Sequence, residues 1–412
     1  MTNAGAADIQ TVTPLLEEFR YPKASRINRK NDTDPVIGSL EAAALRQFGL
    51  LRLMAYGIEP GDATRLLEAV ADGAPWEESA LELEVQLYRR QEETALSQGL
   101  SPAAEQEYLT RRSALLRISQ AMEVLNTETR RRTYLEAAAL FSRAKAMDKR
   151  YRSRTIESSE GTLHAWEIWP TEEIPRGVVL VLGGVDGWSM DWDGLGQQIA
   201  HEGYIAVVLD GPGQGESRYT HETYLGPTWI RAYRSVIDYM NSLADGLPLF
   251  AVGNSMAAGM VLQIQSVYGA FSGVCSNGPV KDMSQLFSSK TYGRKLASFC
   301  GKSVSLESAR DIFGTIDLTP DRVKQATPVL LLQGDEDPMV PVSDGRTVLA
   351  WTQSAVPSFA LFERGEHVIN RFPADKHLLI RSWLTHLTQR QPSRVDTPKL
   401  TSINDLTKET QP

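Results

Sequence analysis

From Ser39 to Asp148 apolar residues recur at three- and four-residue spacing, the period of a helix with one buried face. Leu40, Ala44, Phe48, Leu51 and Met54 form the first stripe, which Gly57 and Pro60 end. Ser101-Pro102 reads as the N-cap and first turn of another helix, with Tyr108, Leu115, Ile118, Met122 and Leu125 along one face. Asn126 is the expected cap of the next helix. That helix turns Tyr134, Ala137, Phe141 and Ala144 inward and Arg130 to Arg132 outward. The pattern predicts a helical domain over 39–150, preceded by an N-terminal arm over 1–38.

The texture changes near Tyr151. Arg152 to Glu157, a Ser-Ser-Glu-Gly turn and Leu163 to Trp169 predict a β-hairpin. Short apolar runs then alternate with helical stretches. Val178 to Leu182, Ile205 to Leu209, Leu249 to Val252, Gly273 to Cys275, Val329 to Leu332 and Phe359 to Phe362 are the expected strands. Continuous apolar runs of this length suit parallel strands covered by helices on both faces. The region 151–391 therefore predicts a doubly wound, mostly parallel α/β sheet. The polar, mixed stretch over 281–325 interrupts the rhythm and reads as a lid-like insertion, or as a plain surface insertion. Residues 392–412 lose periodicity and are expected to be a disordered tail.

Length and composition narrow the picture. A chain of 412 residues exceeds one ordinary core, in keeping with two regions. The net charge of -8 is spread along the chain and gives no footprint for nucleic acid or an anionic membrane. Cys275 and Cys300 both lie in apolar surroundings, which argues against a disulfide framework and for a cytoplasmic setting. Met1 to Pro14 carries no basic segment followed by an apolar core, so no secretory signal is expected.

Candidate chemistry starts at Gly253-Asn254-Ser255-Met256-Ala257, where an apolar strand meets a helix with a serine at the apex. Small residues flank such a serine because the sharp turn brings strand and helix backbones together. A serine hydroxyl needs a neighbouring base, and the base an orienting acid. Gln333-Gly334-Asp335-Glu336-Asp337-Pro338 follows one late strand and offers Asp337 as the acid, with Asp335 as second choice. Glu363-Arg364-Gly365-Glu366-His367 follows the next and offers His367 as the base. Gly183-Gly184-Val185-Asp186-Gly187-Trp188 follows the strand Val178 to Leu182, and its paired glycines let backbone N–H groups face a ligand. By the pattern of serine nucleophiles on such a strand-turn-helix, Val185 N–H and Met256 N–H are the expected oxyanion donors. Asp210-Gly211-Pro212-Gly213-Gln214-Gly215-Glu216-Ser217 lacks the Lys-Ser/Thr of a phosphate loop and reads as a tight turn lining the pocket.

Taken together, these five motifs resemble the α/β-hydrolase superfamily. The helical N-terminal region makes the chain similar to the branch containing 2,6-dihydroxypseudooxynicotine hydrolase, the fungal pigment hydrolase that shortens a heptaketide naphthopyrone, and the hydrolases of fusarin and cytochalasan biosynthesis. The resemblance implies Ser255 as nucleophile, His367 as base and Asp337 as acid, with no metal or cofactor. The chain departs from the pattern at Ala257, where the elbow usually has glycine, and at Val185-Asp186.

The expected function is a serine hydrolase of secondary metabolism, cleaving a C–C bond in a retro-Claisen sense, or an ester or lactone, of a polyketide-type small molecule through an acyl-enzyme. Attack by an internal nucleophile would make it a cyclase or acyltransferase instead. A non-catalytic ligand receptor on the same scaffold is the reading from another class. Gly184, Asp186, Trp188 and Tyr224 are the expected substrate contacts, Asp186 orienting a substrate hydroxyl or capping its turn. Trp188, Trp192 and Tyr224 would form aromatic walls. A homodimer is admissible as the assembly.

Overall fold

Six α-helices lie between residues 40 and 145 in a computed structural model that describes residues 18–20, 40–172 and 174–390. They are α1 (Leu40–Gln47), α2 (Leu50–Ala55), α3 (Pro60–Ala71), α4 (Trp76–Gln98), α5 (Pro102–Ser119) and α6 (Glu128–Lys145). The arm over 1–38, apart from 18–20, and the tail over 392–412 lie outside the described residues.

Local chemistry sets where these helices begin. The Glu59 carboxylate accepts from Gly61 N–H at 2.9 Å and Asp62 N–H at 3.3 Å ahead of Pro60. Ser101 Oγ accepts from Ala104 N–H at 3.2 Å ahead of Pro102. The cap of α6 is Thr127, whose Oγ1 accepts from Arg130 N–H at 3.1 Å, and not the expected Asn126. The Asn126 amide instead donates to the carbonyls of Ser298 and Gly301, at 2.8 and 2.9 Å.

Two further expectations for this region are corrected. The first stripe is two helices, because Gly49 takes an extended conformation as the N-cap of α2; the register shifts, and Leu51 and Met54 are exposed. Arg130 is buried, its Nε donating to Gln120 Oε1 at 2.8 Å, while Arg132 does face solvent.

Phe48, Leu53, Leu66, Trp76, Leu83, Leu115 and Ile118 make a core of their own. Trp76 Nε1 donates to Ile118 O at 2.8 Å within it. Helix α6 is the seam with the sheet. Its Tyr134, Ala138 and Phe141 join the sheet's core, while Ala137, Leu140 and Ala144 pack on Leu109 and Leu116.

Among the described residues the sheet has nine strands: β1 (Glu18–Arg20), β2 (Tyr151–Ser158), β3 (Gly161–Ile168), β4 (Val178–Leu182), β5 (Ile205–Asp210), β6 (Leu249–Asn254), β7 (Gly273–Asn277), β8 (Val329–Gly334) and β9 (Pro357–Phe362). Their order is β1-β9-β8-β7-β6-β4-β5-β3-β2. β2 and β3 form an antiparallel hairpin and β3 runs antiparallel to β5; every other neighbouring pair is parallel. All residues of β4 to β8 are buried, as continuous apolar runs require when helices cover both faces. The covering helices are α7 (Asp193–His201), α8 (Gly215–Tyr219), α9 (Ala232–Ala244), α10 (Met256–Tyr268) and, beyond the insertion, α14 (Val342–Thr352) and α15 (Pro373–Arg390).

The chain leaves β4 toward β5 on one side and returns to β6 on the other. Strand order therefore reverses at β4, and ligands of open α/β sheets bind outside the carboxyl ends at such a point. In register, Leu182 pairs with Gly253 and Asn254 with Asn277, so the loops after β4, β6 and β7 emerge side by side.

Residues 281–325 hold a 3-10 turn (Ser284–Ser288), α11 (Lys290–Cys300), α12 (Leu306–Gly314) and α13 (Pro320–Val323). Leu296, Phe299, Phe313, Ile316, Leu318 and Val323 sit in the sheet's apolar core. Each such side chain contributes about 1.5–3 kcal/mol by burial, so the inner side of this segment is fastened to the body. Among the described residues no helix is long and apolar enough to cross a membrane.

Candidate active site

Ser255 stands between β6 and α10 with φ 59° and ψ −120°. A serine in this region of backbone space costs on the order of 1–3 kcal/mol, and the surroundings hold it there. Its N–H donates to Asn277 O at 2.9 Å. A Cβ on Gly253 would overlap the carbonyl of Ala257, so strand and helix backbones touch and only glycine fits that position. The methyl of Ala257 is buried without such a clash, and the departure at 257 is accommodated.

The loops after β8 and β9 are pressed together. A Cβ on Gly334 would overlap Gly365 O. Asp337 accepts from the N–H groups of Met339 and Val340 on Oδ1, at 2.8 and 3.0 Å, which aims Oδ2 at His367 Nδ1, 2.8 Å away. The carboxylate is fully shielded from solvent. Asp335 is exposed and turns the other way, accepting from Arg364 N–H at 2.5 Å. On its far side His367 meets Ser255 Oγ, with Nε2 at 2.8 Å. An ionised carboxylate only accepts hydrogen bonds, so the proton belongs on Nδ1 and Nε2 is left to accept from the serine hydroxyl. Such a chain can take a proton from Oγ as the oxygen attacks and return it to a leaving group.

Elsewhere the histidines are differently engaged. His164 is buried with Nε2 2.9 Å from Ser153 Oγ. Burial opposes its charged form, but Asp210 and Glu216 outweigh that and raise its pKa. Burial takes His377 down to about 3, with Lys376 and Arg381 adding to the effect.

The loop after β4 closes over the serine. A Cβ on Gly184 would stand 2.7 Å from Ser255 Cβ and 3.1 Å from its Oγ. Gln214 Nε2 donates to both Gly183 O and Gly184 O, at 2.9 and 2.7 Å. In a trans peptide the N–H points opposite to the carbonyl, so the Val185 N–H faces away from Gln214. Met256 is the first residue of α10, where N–H groups have no acceptor within the helix. Asp210 steadies the turn that carries Gln214 by accepting from Ser189 N–H at 2.8 Å and Glu216 N–H at 2.9 Å.

Asp186 is a knot between three parts of the chain. Its carboxylate pairs with Lys295 of α11, accepts from Gln47 Nε2 of α1 at 2.6 Å and lies 3.6 Å from Arg52 of α2. Burial alone would raise its pKa, but Lys295 and Arg52 outweigh that and hold it below the usual carboxylate range. Burial lowers the Lys295 pKa in spite of Asp186. Removing one partner of a buried pair leaves the other charge uncompensated. Asp186→Ala is thus expected to cost about 3–5 kcal/mol of stability, read from urea unfolding.

Trp188 is not on the cleft wall. It is 4 % exposed, packed among Tyr134, Tyr219 and Phe299, and its Nε1 donates to Val185 O at 3.1 Å. Tyr224 is half-buried near Arg218 and Lys302, also off the cleft wall. Trp192, Gly184, Val185 and Asp186 do line the cleft, with Ser255 and His367. Its volume is about 2240 Å³ among the described residues, enclosed further by Leu50, Leu51 and Tyr56 of the helical region and Gln285, Leu286 and Tyr292 of the insertion. Gln214, Arg52, Tyr292 and Lys295 were not singled out from sequence. Gln214 had a signal, its place in the Gly-rich turn; the others meet the site only through long-range packing. Among the described residues no group of three or more His, Cys, Asp and Glu side chains could hold a metal ion.

No family model matches the chain. It is similar to a monoacylglycerol lipase of Mycolicibacterium smegmatis, with 21% identity over 266 residues that span 55% of this chain and 95% of the lipase. Among solved structures, the 2,6-dihydroxy-pseudo-oxynicotine hydrolase superposes with a TM-score of 0.68 at 17% identity, covering 82% of this chain and 96% of the other. AbyA5 superposes with a TM-score of 0.66 at 16% identity, covering 84% and 94%. Residues 151–390 alone could not supply such coverage, so both likenesses take in the N-terminal helices as well as the sheet. These likenesses show that the chain has the α/β-hydrolase fold, with an N-terminal helical region ahead of residue 151.

Proposed function

We propose that the protein is a serine hydrolase that cleaves a C–C bond in a retro-Claisen sense, or an ester or lactone, of a bulky polyketide-type substrate. What carries the reading is the unbroken chain from Ser255 Oγ through His367 to Asp337, at 2.8 Å on each side. Ser255 attacks the carbonyl as His367 takes its proton. The oxyanion rests on the N–H groups of Val185 and Met256. Collapse expels an alkoxide, or a carbanion stabilised as its enolate, which the proton on His367 neutralises. Water, deprotonated by His367, then releases the acid from Ser255.

In this reading the helical domain over 39–150 and the insertion over 281–325 cover the hydrolase domain over 151–391. A cleft of about 2240 Å³ exceeds the ~300–1,000 Å³ of ordinary small-molecule sites, which favours a bulky substrate. The strained backbone at Ser255 favours an enzyme over a receptor, since such strain gathers at reactive positions.

Turnover of candidate 1,3-dicarbonyl and lactone polyketides in H₂¹⁸O, followed by mass spectrometry, tests the reading. One labelled oxygen should enter a carboxylic acid product. A ketone as co-product marks C–C cleavage and an alcohol marks ester cleavage; a ring-closed product without label marks the cyclase alternative. Binding of these compounds with no product from any of them would favour the receptor and overturn the reading.

A further inference from the structure

Beneath Ser255 and His367 two buried asparagines join loops that the reaction needs in register. Asn254 Nδ2 donates to Leu182 O at 3.1 Å, the last carbonyl of β4 before the Gly183-Gly184 loop. Asn277 Nδ2 donates to Asn254 Oδ1 at 2.9 Å and to Val368 O at 3.2 Å. Both ends of this chain are backbone carbonyls, which can only accept, so the orientation of each amide is fixed. Both side chains are wholly buried, and Asn277 Oδ1 has no hydrogen-bond partner. An orphan acceptor is a cost, tolerated here while both N–H groups of the same amide are used.

The carbonyl that Asn277 reaches belongs to a residue under strain. Val368 has φ 58° and ψ 12°, and Ile369 after it has φ 58°. Left-handed backbone at two successive β-branched residues persists only when the surroundings impose it. Two donors do so at Val368 O: Asn277 Nδ2, and Lys376 Nζ at 2.8 Å. The His367 ring lies beside Gly278, the residue after Asn277, where an added Cβ would come within 3.4 Å of Cε1.

We propose that Asn277, acting with Asn254, is a positioning residue: its amide holds the strained turn that carries His367 in register with Ser255 and with the strand leading to the Gly184 loop. The inference rests on the serine-hydrolase reading above. Asn277 touches no reacting atom. Its effect comes through where His367 Nε2 stands, and a displacement of about 1 Å at a reacting group can cost on the order of 100-fold in rate.

The test compares the full-length protein with Asn277→Asp, which keeps the shape but turns a donor into an acceptor facing two oxygens, and with Asn277→Ser, which keeps one short donor. A nitrophenyl ester gives kcat and KM, and a fluorophosphonate probe gives the labelling rate of Ser255. Asn277→Asp is expected to lower kcat and labelling together by about 10- to 100-fold with KM little changed, and Asn277→Ser by less. Wild-type kcat in either folded variant, or a loss confined to KM, overturns the proposal. If Asn277→Asp does not fold, Asn277→Ser is decisive by the same criterion. Full activity in Ser255→Ala would instead sink the serine mechanism, so the two failures are told apart.

Discussion

Ser255→Ala lowers kcat by about 10⁴-fold or more while the melting temperature stays close to that of the parent protein. In the proposed mechanism the hydroxyl is the atom that forms the covalent bond, and Ser255 Oγ stands 2.8 Å from His367 Nε2. Alanine keeps the same backbone demands at φ 59°, the same packing against Gly184 and the same N–H bond to Asn277 O. The fold therefore has little reason to respond. Steady-state kinetics beside thermal unfolding separate the two effects, and a large loss of activity with an unchanged melting temperature is the expected pattern.

Asp337→Asn is expected to lower kcat by about 10⁴-fold, again with the fold intact. The amide fills the same volume, and its oxygen can still accept from the Met339 and Val340 N–H groups. What changes is the group facing His367 Nδ1. An NH₂ there donates, so Nδ1 must accept, the ring proton moves to Nε2, and Nε2 can no longer take the proton of Ser255. Asp335→Asn is the matched control. Asp335 is exposed and accepts from Arg364 N–H, so its substitution leaves kcat near the wild-type value. The reverse result, a large loss at 335 and little at 337, would move the acid to the other side of the turn.

The expected strands were readable because buried parallel strands leave an unambiguous mark: continuous apolar runs of about five residues between helical stretches. The ends of β4, β6, β8 and β9 carry Gly184, Ser255, Asp337 and His367 because the glycines beside them announce sharp turns. Helix boundaries in the N-terminal region were less legible. Asn126 and Thr127 are both competent caps, and what decides between them is a pull from elsewhere, the Ser298 and Gly301 carbonyls that take the Asn126 amide. Arg130 looked like part of a solvated run because its acceptor, Gln120, lies across a turn.

The same reasoning explains the aromatic residues. Trp188 follows the glycine loop and was a natural candidate for a cleft wall, yet Tyr134, Tyr219 and Phe299 draw its ring into the core. Asp186 had two candidate duties, a substrate hydroxyl or a turn cap. It is taken up by Lys295, Gln47 and Arg52, partners far away in sequence that no local pattern could have named. Asn277 is the last residue of a short strand, and only the pairing of β6 with β7 and the fold of the His367 turn bring its amide to Asn254 and Val368.

The covalent step proposed at Ser255 is open to one direct measurement. The protein is quenched with acid during turnover of an activated ester, its intact mass is recorded, and the added group is located by peptide mapping. A single acyl group on the peptide containing Ser255, absent from Ser255→Ala and accumulating in proportion to any burst of product, is the result predicted. Rapid turnover with no acylated protein and no burst, or an acyl group on another residue, would contradict a mechanism through Ser255.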